Sequence, residues 1–274
     1  MEAILFSVVS VTVIGIICAI LLAFASNVMA VKEDERFPAV RACLPGANCG
    51  ACGYAGCDGY ARALLEGDVK TNLCVPGADS TAKSLSEILG VACEDVTEKV
   101  SFLQCSGDCS ATSSKMDYHG IESCTAAKLL FGGSGKCSFG CLGFGDCVKS
   151  CPYGALSIQN GIAHVDTKRC VGCGLCTTVC PNHLLVTLPD VVKVHVSCSN
   201  TDKGAVTRKA CTNGCIACRK CEKECPVGAI KVENNLARID YDLCTGCGHC
   251  AEVCVAGCIT AGDFRGASHA VKAG

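Results

Sequence analysis

The chain has 274 residues, 29 of them cysteine, and its aromatic content of 5% excludes a large aromatic core. The 24 Lys and Arg residues nearly balance the 26 Asp and Glu residues, giving a net charge of -2. This balance excludes a strongly basic nucleic-acid surface and an acidic disordered tail. So much cysteine indicates either a secreted disulfide scaffold or thiolates that bind metal in a reducing compartment.

An apolar segment opens the chain. From Ala3 to Val31, 29 residues pass without a charged side chain, more than the roughly 20 that a helix needs to span a bilayer. The segment predicts a single membrane anchor over residues 1–31. A signal peptide is the alternative, because Ala23–Ala25 resembles a cleavage site, but no Lys or Arg precedes the run and its length exceeds that of a signal sequence.

A glycine-rich cysteine motif follows the anchor. Residues 44–57 read LPGANCGACGYAGC, and Cys74 is the next cysteine. Closely spaced thiolates among glycines suit an iron-sulfur cluster, because glycine lets the backbone curl around the inorganic core. Zinc is the alternative, although structural zinc favours paired C-x2-4-C knuckles. The motif predicts an N-terminal [4Fe-4S] domain over residues 32–80 with four ligands: Cys49, Cys52, Cys57 and Cys74. Residues at helical spacing after Cys57 predict a short helix that stops at Gly67.

The second half of the chain repeats with an offset of 74 residues. The eight cysteines from Cys137 to Cys180 each recur 74 positions later, and CPYGALSIQNGIAHVDTKRC aligns with CPVGAIKVENNLARIDYDLC without a gap. Three runs have the spacing C-x2-C-x2-C-x3-C, in which three cysteines hold one [4Fe-4S] cluster and the fourth holds its neighbour. Alternating residues around Asn-rich turns predict small hairpins. The pattern predicts two ferredoxin-like modules, over residues 124–197 and 198–262.

One run of the first module departs from this spacing, because Phe144 stands where the second module has Cys218. We therefore predict that Cys137 substitutes for the missing ligand. The four predicted sets in the modules are Cys137, Cys141, Cys147 and Cys180; Cys151, Cys170, Cys173 and Cys176; Cys215, Cys218, Cys221 and Cys254; and Cys225, Cys244, Cys247 and Cys250.

Residues 81–123 are predicted to be a connector, with a helix that ends before Gly90 and a strand at residues 100–103. Five clusters account for 20 of the 29 cysteines. One hypothesis assigns a sixth cluster to Cys105, Cys109, Cys124 and one of Cys198 or Cys211. The alternative is that these residues are buried thiols or remnants of the duplication. The small, polar tail at residues 263–274 is predicted to be flexible.

The order of one membrane span, the LPGANCGACGYAGC motif and tandem ferredoxin runs resembles the B subunit of the Rnf complex, an ion-translocating ferredoxin:NAD oxidoreductase. The resemblance covers the whole chain, and the motif with Cys49, Cys52, Cys57 and Cys74 is its most specific part. It implies a subunit that takes electrons from soluble reduced ferredoxin on the cytoplasmic side and passes them to other subunits of a sodium- or proton-pumping complex. A minimal member carries one ferredoxin pair, so the second module here is an extension.

Together these features predict an α+β protein with one N-terminal transmembrane helix, a small Cys-rich iron-sulfur domain and tandemly duplicated two-cluster bacterial ferredoxin-like modules. Five [4Fe-4S] clusters, or six, would make it an electron-transfer subunit without a catalytic site for an organic substrate. Its predicted partners are reduced ferredoxin, other membrane and cytoplasmic subunits and the lipid bilayer. We expect a single-pass protein of the inner (cytoplasmic) membrane with its clusters on the cytoplasmic side. The alternatives are a membrane-tethered polyferredoxin serving a hydrogenase or formate dehydrogenase, and a redox sensor that its clusters stabilise.

Overall fold

The structure, a computed structural model, describes residues 2–28, 34–67 and 69–264. Helices and short strands alternate along these residues, which confirms the mixed helix and strand content. The helices are α1 (Glu2–Val28), α2 (Phe37–Cys43), α3 (Gly56–Glu66), α4 (Ala78–Leu89), α5 (Cys124–Leu129), α6 (Asp146–Lys149), α7 (Leu175–Val179), α8 (Gly204–Ala210), α9 (Lys220–Lys223) and α10 (His249–Glu252). The strands are β1 (Lys99–Leu103), β2 (Leu156–Gln159), β3 (Ile162–Val165), β4 (Leu185–Pro189), β5 (Val194–Val196), β6 (Ile230–Glu233), β7 (Leu236–Ile239) and β8 (Ile259–Ala261).

Helix α1 has the length and composition of a membrane span. Its segment Val8–Ser26 has a mean hydropathy of 2.8, and none of that segment is buried inside the protein. Apolar side chains such as Ile14 and Leu22 are exposed along it. A helix that is apolar all round and unpacked needs a non-aqueous environment. Residues 29–33, at the end of the predicted anchor, lie outside the described part of the chain.

Helices α2, α3 and α4 form the N-terminal domain around Val40, Tyr60 and Leu85, which are almost fully buried. The Tyr60 hydroxyl donates to the Lys70 carbonyl oxygen over 2.7 Å. Helix α3 ends at Gly67 and α4 at Gly90, both with positive φ. These are the predicted stops, because glycine adopts the left-handed conformation at a helix end without steric cost.

Four two-stranded antiparallel sheets make up the rest of the fold: β1–β4, β2–β3, β5–β8 and β6–β7. The hairpins β2–β3 and β6–β7 occupy positions 74 residues apart and turn at Asn160–Gly161 and Asn234–Asn235, all with positive φ. Such φ values favour the two-residue turns that the sequence predicted.

Strands β1 and β5 place the module boundaries elsewhere than the sequence suggested. Strand β1 lies in the predicted connector, yet it pairs with β4 of the first module. Strand β5 lies before residue 198, yet it pairs with β8 of the second module. Each of these pairs thus joins residues from the two sides of a predicted boundary. Strand pairing over long sequence separations left no signal in the local cysteine pattern.

The start of the predicted flexible tail is packed. The ring of Phe264 lies 5.1 Å from that of Phe102 and 5.0 Å from that of His195. An aromatic residue in such a cluster buries apolar surface and is ordered by it. The remainder of the tail, residues 265–274, lies outside the described residues.

Candidate iron-sulfur sites

The first predicted set, called site A here, lies between α2 and α4. Cys49 and Cys52 lie in the loop before α3, Cys57 begins that helix, and Cys74 lies between two short 3-10 turns. The Asn48 side chain accepts a hydrogen bond from the Cys57 N–H over 2.9 Å and so fixes the loop to the helix. Burial, and after it the thiols of the other three cysteines, raise the pKa of the Cys74 thiol to about 11. The structure thus brings all four residues together.

The second module contains two cavities that match its two predicted sets. Site D, with Cys215, Cys218, Cys221 and Cys254, lines a cavity of about 320 Å³. Site E, with Cys225, Cys244, Cys247 and Cys250, lines another of about 320 Å³. Each cavity takes its fourth cysteine from the other run, which is the grouping expected from the spacing.

The walls of these cavities and the spacing of their thiols suit iron-sulfur clusters. Apolar side chains such as Val232 and Ile259 line site D, and Ile230 and Ile239 line site E. Within the described residues, no three His, Cys, Asp or Glu side chains are arranged to hold a single metal ion. Thiolates around one zinc ion lie about 3.8 Å apart, as follows from tetrahedral bonds of about 2.3 Å. A cubane cluster binds each thiolate through a different iron and spreads them farther apart, so the donor sets fit clusters better than zinc.

A fifth thiol lies beside site D. Cys258 is 1% exposed, and its Sγ lies 3.6 Å from that of Cys254. The hydrogen bond from Cys258 lowers the pKa of Cys254 to about 5 and that of Cys215 to about 6. Sequence analysis left Cys258 unassigned. Its counterpart 74 residues upstream is the buried Leu184, which marks the position as interior.

Site B comprises Cys151, Cys170, Cys173 and Cys176, the second predicted set of the first module. The thiols of Cys170 and Cys151 both raise the pKa of Cys176, after the larger effect of burial. Strand β1 closes the site, because the Ser101 N–H donates to Cys170 Sγ over 3.4 Å and the Ser101 hydroxyl lies 3.3 Å from Cys176 Sγ. These four predicted residues are also brought together.

The other set of the first module differs from its prediction. Cys141, Cys147 and Cys180 lie together, but the fourth thiol beside them is that of Cys124. Burial, and after it the thiols of Cys141, Cys124 and Cys180, raise the pKa of Cys147 to about 12. The predicted fourth member, Cys137, lies in a different cavity. We call the observed set, Cys124, Cys141, Cys147 and Cys180, site C.

Helix α5 brings Cys124 into site C. The Ser123 hydroxyl caps this helix by accepting from the Ala126 N–H, and it donates to the Asp146 carboxylate over 2.8 Å. The Thr125 N–H donates to the same carboxylate over 3.1 Å. Asp146 begins α6, which carries Cys147, so these bonds fix one helix against the other. A thiol from upstream in the sequence thus completes the group of four in the module that has Phe144 instead of a cysteine. Local spacing does not reveal it.

The hypothetical sixth set is not assembled as predicted. Cys124 belongs to site C, and Cys109 is exposed, with its N–H donating to the carbonyl of Asn160 in the hairpin turn. Cys105 instead lines a cavity that also contains Cys137, Cys198 and Cys211. The spacing Cys105-x3-Cys109 suggested a pair, but Cys105 lines this cavity, whereas Cys109 is exposed and does not line it.

Comparisons with known proteins agree with this distribution of cysteines. Residues 44–76 match the family model described as "Putative Fe-S cluster". Three models of a 4Fe-4S dicluster domain match residues 133–184, 169–230 and 207–255. The matches cover the region of site A and both modules.

Curated relatives match over most of the chain. The B subunit of the Na⁺-translocating ferredoxin:NAD⁺ oxidoreductase complex of Acetobacterium woodii is 41% identical over 97% of this chain and 80% of its own length. The B subunit of the proton-translocating ferredoxin:NAD⁺ oxidoreductase complex of Clostridium ljungdahlii is 41% identical over 95% of this chain and 93% of its own length. The B subunit of the ion-translocating oxidoreductase complex of Methanosarcina acetivorans is 39% identical over 88% of this chain and 92% of its own length.

The chain belongs to the family of Rnf complex B subunits. This confirms the resemblance drawn from the order of its motifs. A member of this family is an iron-sulfur electron-transfer component of an ion-translocating oxidoreductase complex, and it is associated with the membrane and with other subunits.

Proposed function

We propose that this Rnf B subunit relays electrons from soluble reduced ferredoxin to the other subunits of its complex. In this proposal sites A to E each hold one [4Fe-4S] cluster, with Cys124 as the fourth ligand of site C in place of Cys137. A bound [4Fe-4S] cluster accepts and releases single electrons. The observation that carries the proposal is that consecutive sites lie near one another: thiols of site A act on site B and those of site B on site C, and sites D and E each contain a cysteine from the other's run.

Sites A, B and C form the first half of this path. Tyr153 of the first module lies between sites A and B. Burial has the largest effect in raising the pKa of its hydroxyl, and the thiols of Cys173, Cys49 and Cys74 raise it as well. The thiol of Cys49 in site A also raises the pKa of Cys173 in site B. Within the first module, the thiol of Cys176 in site B raises the pKa of Cys147 in site C. These electrostatic interactions indicate that consecutive sites are neighbours.

The second module supports the arrival of electrons from a soluble carrier. Of the residues in sites A to E, Cys218 and Cys247 are the exposed ones, and both lie in this module. Arg219 follows Cys218 and is also exposed, and its guanidinium lies 3.9 Å from the Glu222 carboxylate. Residues 219–224 carry three basic and two acidic side chains, so a small net positive charge lies next to site D. A carrier can approach these thiols closely, and an acidic carrier would be attracted by the arginine. Site A is nearest to α1 in the sequence and is therefore the proposed donor to membrane subunits.

Anaerobic mixing of the full-length chain with reduced ferredoxin tests the relay. We expect paramagnetic resonance signals of reduced clusters to develop, more slowly at high salt. Arg219→Glu should slow their development, whereas Lys83→Glu on the exposed face of α4 should not. If ferredoxin leaves the clusters oxidised while dithionite reduces them, the relay is refuted and a redox sensor is favoured.

The same proposal makes α1 a single membrane span with all cluster sites on the cytoplasmic side. A reducing compartment suits a chain with so many thiolates and no disulfides among its described residues. Cys93 is exposed, lies outside all five sites and therefore reports the side of the membrane. A membrane-impermeant maleimide should label Cys93 in inverted vesicles and fail to label it in sealed right-side-out cells. Comparison with Cys93→Ala identifies the labelled residue, and labelling in intact cells would refute the orientation.

A further inference from the structure

The loop that follows α5 exposes three large apolar side chains in succession. Leu129 and Phe131 are each 82% exposed, and Leu130 between them is 48% exposed. We call these three residues the apolar tip. Single exposed apolar residues are normal on a protein surface, whereas a contiguous group of them marks a site of interaction.

The fold of a module does not require apolar residues at these positions. The second module has Lys203, Gly204 and Ala205 at the positions 74 residues downstream. The cysteines on either side of the tip, Cys124 and Cys137, keep their counterparts at the same offset, so the comparison is between equivalent positions. The apolar character of the tip is therefore specific to the first module.

Backbone contacts hold the tip in one conformation. The Leu130 N–H donates to the Ala127 carbonyl over 3.2 Å, and the Gly133 N–H donates to the Leu130 carbonyl over 2.9 Å. Phe131 has a φ of +50°, in the left-handed region that bulky side chains rarely adopt. Such backbone strain persists only where the surrounding contacts enforce it, and it is frequent at functional sites.

The segment before α5 supports the tip from behind. The Lys115 N–H donates to the Ser134 carbonyl over 2.8 Å, and the Lys115 ammonium group donates to the Phe131 carbonyl over 2.8 Å. The carbonyl groups of Leu130 and Phe131 therefore both have donors within the protein. A loop whose backbone groups are already hydrogen-bonded loses less free energy when it leaves water for an apolar medium.

The surroundings of the tip are basic. A bridge between Ser114 and Gly135 pairs two segments here, residues 113–117 and 123–145. Their charged residues are three lysines and one aspartate: Lys115, Lys128, Lys136 and Asp117. The Asp146 carboxylate binds the opposite, N-terminal end of α5. Apolar side chains flanked by lysines are typical of segments that lie in the interface of an anionic membrane, where the apolar groups enter the acyl boundary and the ammonium groups meet the headgroups.

A bilayer lies close to this loop if α1 spans the membrane. Residues 29–36 alone separate Val28, at the end of α1, from Phe37, at the start of α2. Even when fully extended, such a segment spans only about 30 Å. The N-terminal domain adjoins the first module, because Tyr153 lies between sites A and B. Tethering at this distance gives the bilayer a high effective concentration, so a small apolar tip suffices for contact.

We propose that the apolar tip enters the interface of the cytoplasmic leaflet, with anionic lipid headgroups around its lysines. The proposal rests on α1 as the membrane span proposed above and is independent of the electron relay. Insertion of the tip holds the first module against the membrane surface in one orientation. Cys124 of site C begins the helix that ends at Leu129, so the same contact sets the position of site C relative to the membrane.

A single tryptophan tests the insertion, because the wild-type chain contains none. Full-length Phe131→Trp is reconstituted into vesicles of phosphatidylcholine and phosphatidylglycerol, with and without bromine on the acyl chains. We expect brominated lipid to remove most of the tryptophan emission of this variant, because bromine quenches an indole that reaches the acyl region. The emission of the control Val206→Trp, at an exposed position of α8, should not change. Both lipid mixtures hold protein with the same iron content, so quenching by the clusters cancels in the comparison.

Hydrogen exchange at residues 129–133 of the wild-type chain gives a second readout that needs no tryptophan. Exchange should be slower in these vesicles than in vesicles of phosphatidylcholine alone, because the lysines favour anionic headgroups. Tryptophan emission that bromine leaves unchanged would overturn the insertion. If the clusters leave too little emission to measure, exchange decides, and equal rates in the two kinds of vesicle would overturn it.

Two other occupants of the tip give different results. Protection of residues 129–133 only in membranes that contain the complete complex would assign the tip to another subunit. Protection that increases with the protein-to-lipid ratio would assign it to a second copy of the chain. Either result refutes the lipid contact. A chain that fails to float with the vesicles would refute α1 as the anchor, which differs from a chain that floats with its tip in water.

Discussion

Cys258 illustrates how a single side chain can act on a cluster without binding it. Site D already has four cysteines in the crossed arrangement, and Cys258 is a fifth thiol, buried within 3.6 Å of Cys254 Sγ. It also hydrogen-bonds to Cys215. A thiol that donates to ligand sulfurs stabilises their negative charge, which is greater in the reduced cluster. The expected role of Cys258 is therefore to raise the reduction potential of site D.

Replacing this thiol tests the role. Cys258→Ala should lower the potential of site D by about 20–60 mV, because a hydrogen bond contributes about 1 kcal/mol and 59 mV corresponds to about 1.4 kcal/mol for one electron. A redox titration followed by paramagnetic resonance measures the shift. Iron content should stay at the wild-type value, and the exposed Cys93→Ala should shift nothing. Loss of iron in Cys258→Ala would instead make this residue a ligand.

At the scale of elements, local chemistry was predictable and pairing between distant segments was not. The turns at Asn160–Gly161 and Asn234–Asn235 and the helix end at Gly67 follow from residues that tolerate positive φ, and each was predicted. Strand β1 was also predicted, but its partner β4 lies more than 80 residues away. Pairing at such separation depends on the packing of the whole module, which a linear pattern does not contain.

Gly172 shows why this pairing matters to a cluster site. It lies in the Cys170–Cys173 loop with φ of +65°, and a Cβ there would lie 2.3 Å from the Lys99 carbonyl oxygen of β1. Gly228 has the same φ of +65°, but a Cβ atom there would have no neighbouring atom within 4 Å. Both Gly→Ala changes carry the left-handed strain of about 1–2 kcal/mol, but Gly172→Ala adds a collision with backbone, which costs about 1–3 kcal/mol more.

We therefore expect Gly172→Ala to lower the unfolding temperature by more than Gly228→Ala does. It should also loosen site B, because strand β1 donates hydrogen bonds to Cys170 and Cys176 through Ser101. Thermal unfolding of the full-length protein and iron content after purification measure both effects. If both variants lose equally in unfolding temperature and in iron content, the close approach of Gly172 to β1 does not contribute to stability or to site B.

At the scale of the whole molecule, most groups of cysteines could be predicted from the sequence, but not all of them. Sites A, B, D and E assemble the predicted residues, because their spacing is local or crosses within one module. Site C draws on Cys124, and the cavity lined by Cys137, Cys198 and Cys211 draws on Cys105, both from upstream segments. Their assignment depends on where α5 and the connector pack, and this is set by contacts such as those of Asp146.

One side chain, that of Tyr153, lies at the junction between site A and the first module. Tyr153 is half-buried there, among thiols of sites A and B. Its counterpart 74 residues downstream is Val227, which is exposed. The two positions share the sequence Cys-Pro-X-Gly, so they differ chiefly in what the side chain contacts. An aromatic ring at a junction contributes both apolar contact and close packing.

Tyr153→Ala should therefore weaken the packing of the N-terminal domain on the first module and separate site A from site B. We expect site A to be reduced several-fold more slowly when ferredoxin is supplied, because electron transfer slows steeply as the intervening gap widens. Iron content and the rate at sites D and E should keep their wild-type values, and Val227→Ala should leave the rate at site A unchanged. Freeze-quenched paramagnetic resonance resolves these phases. Unchanged reduction of site A in Tyr153→Ala would show that electrons reach it by a route that avoids this junction.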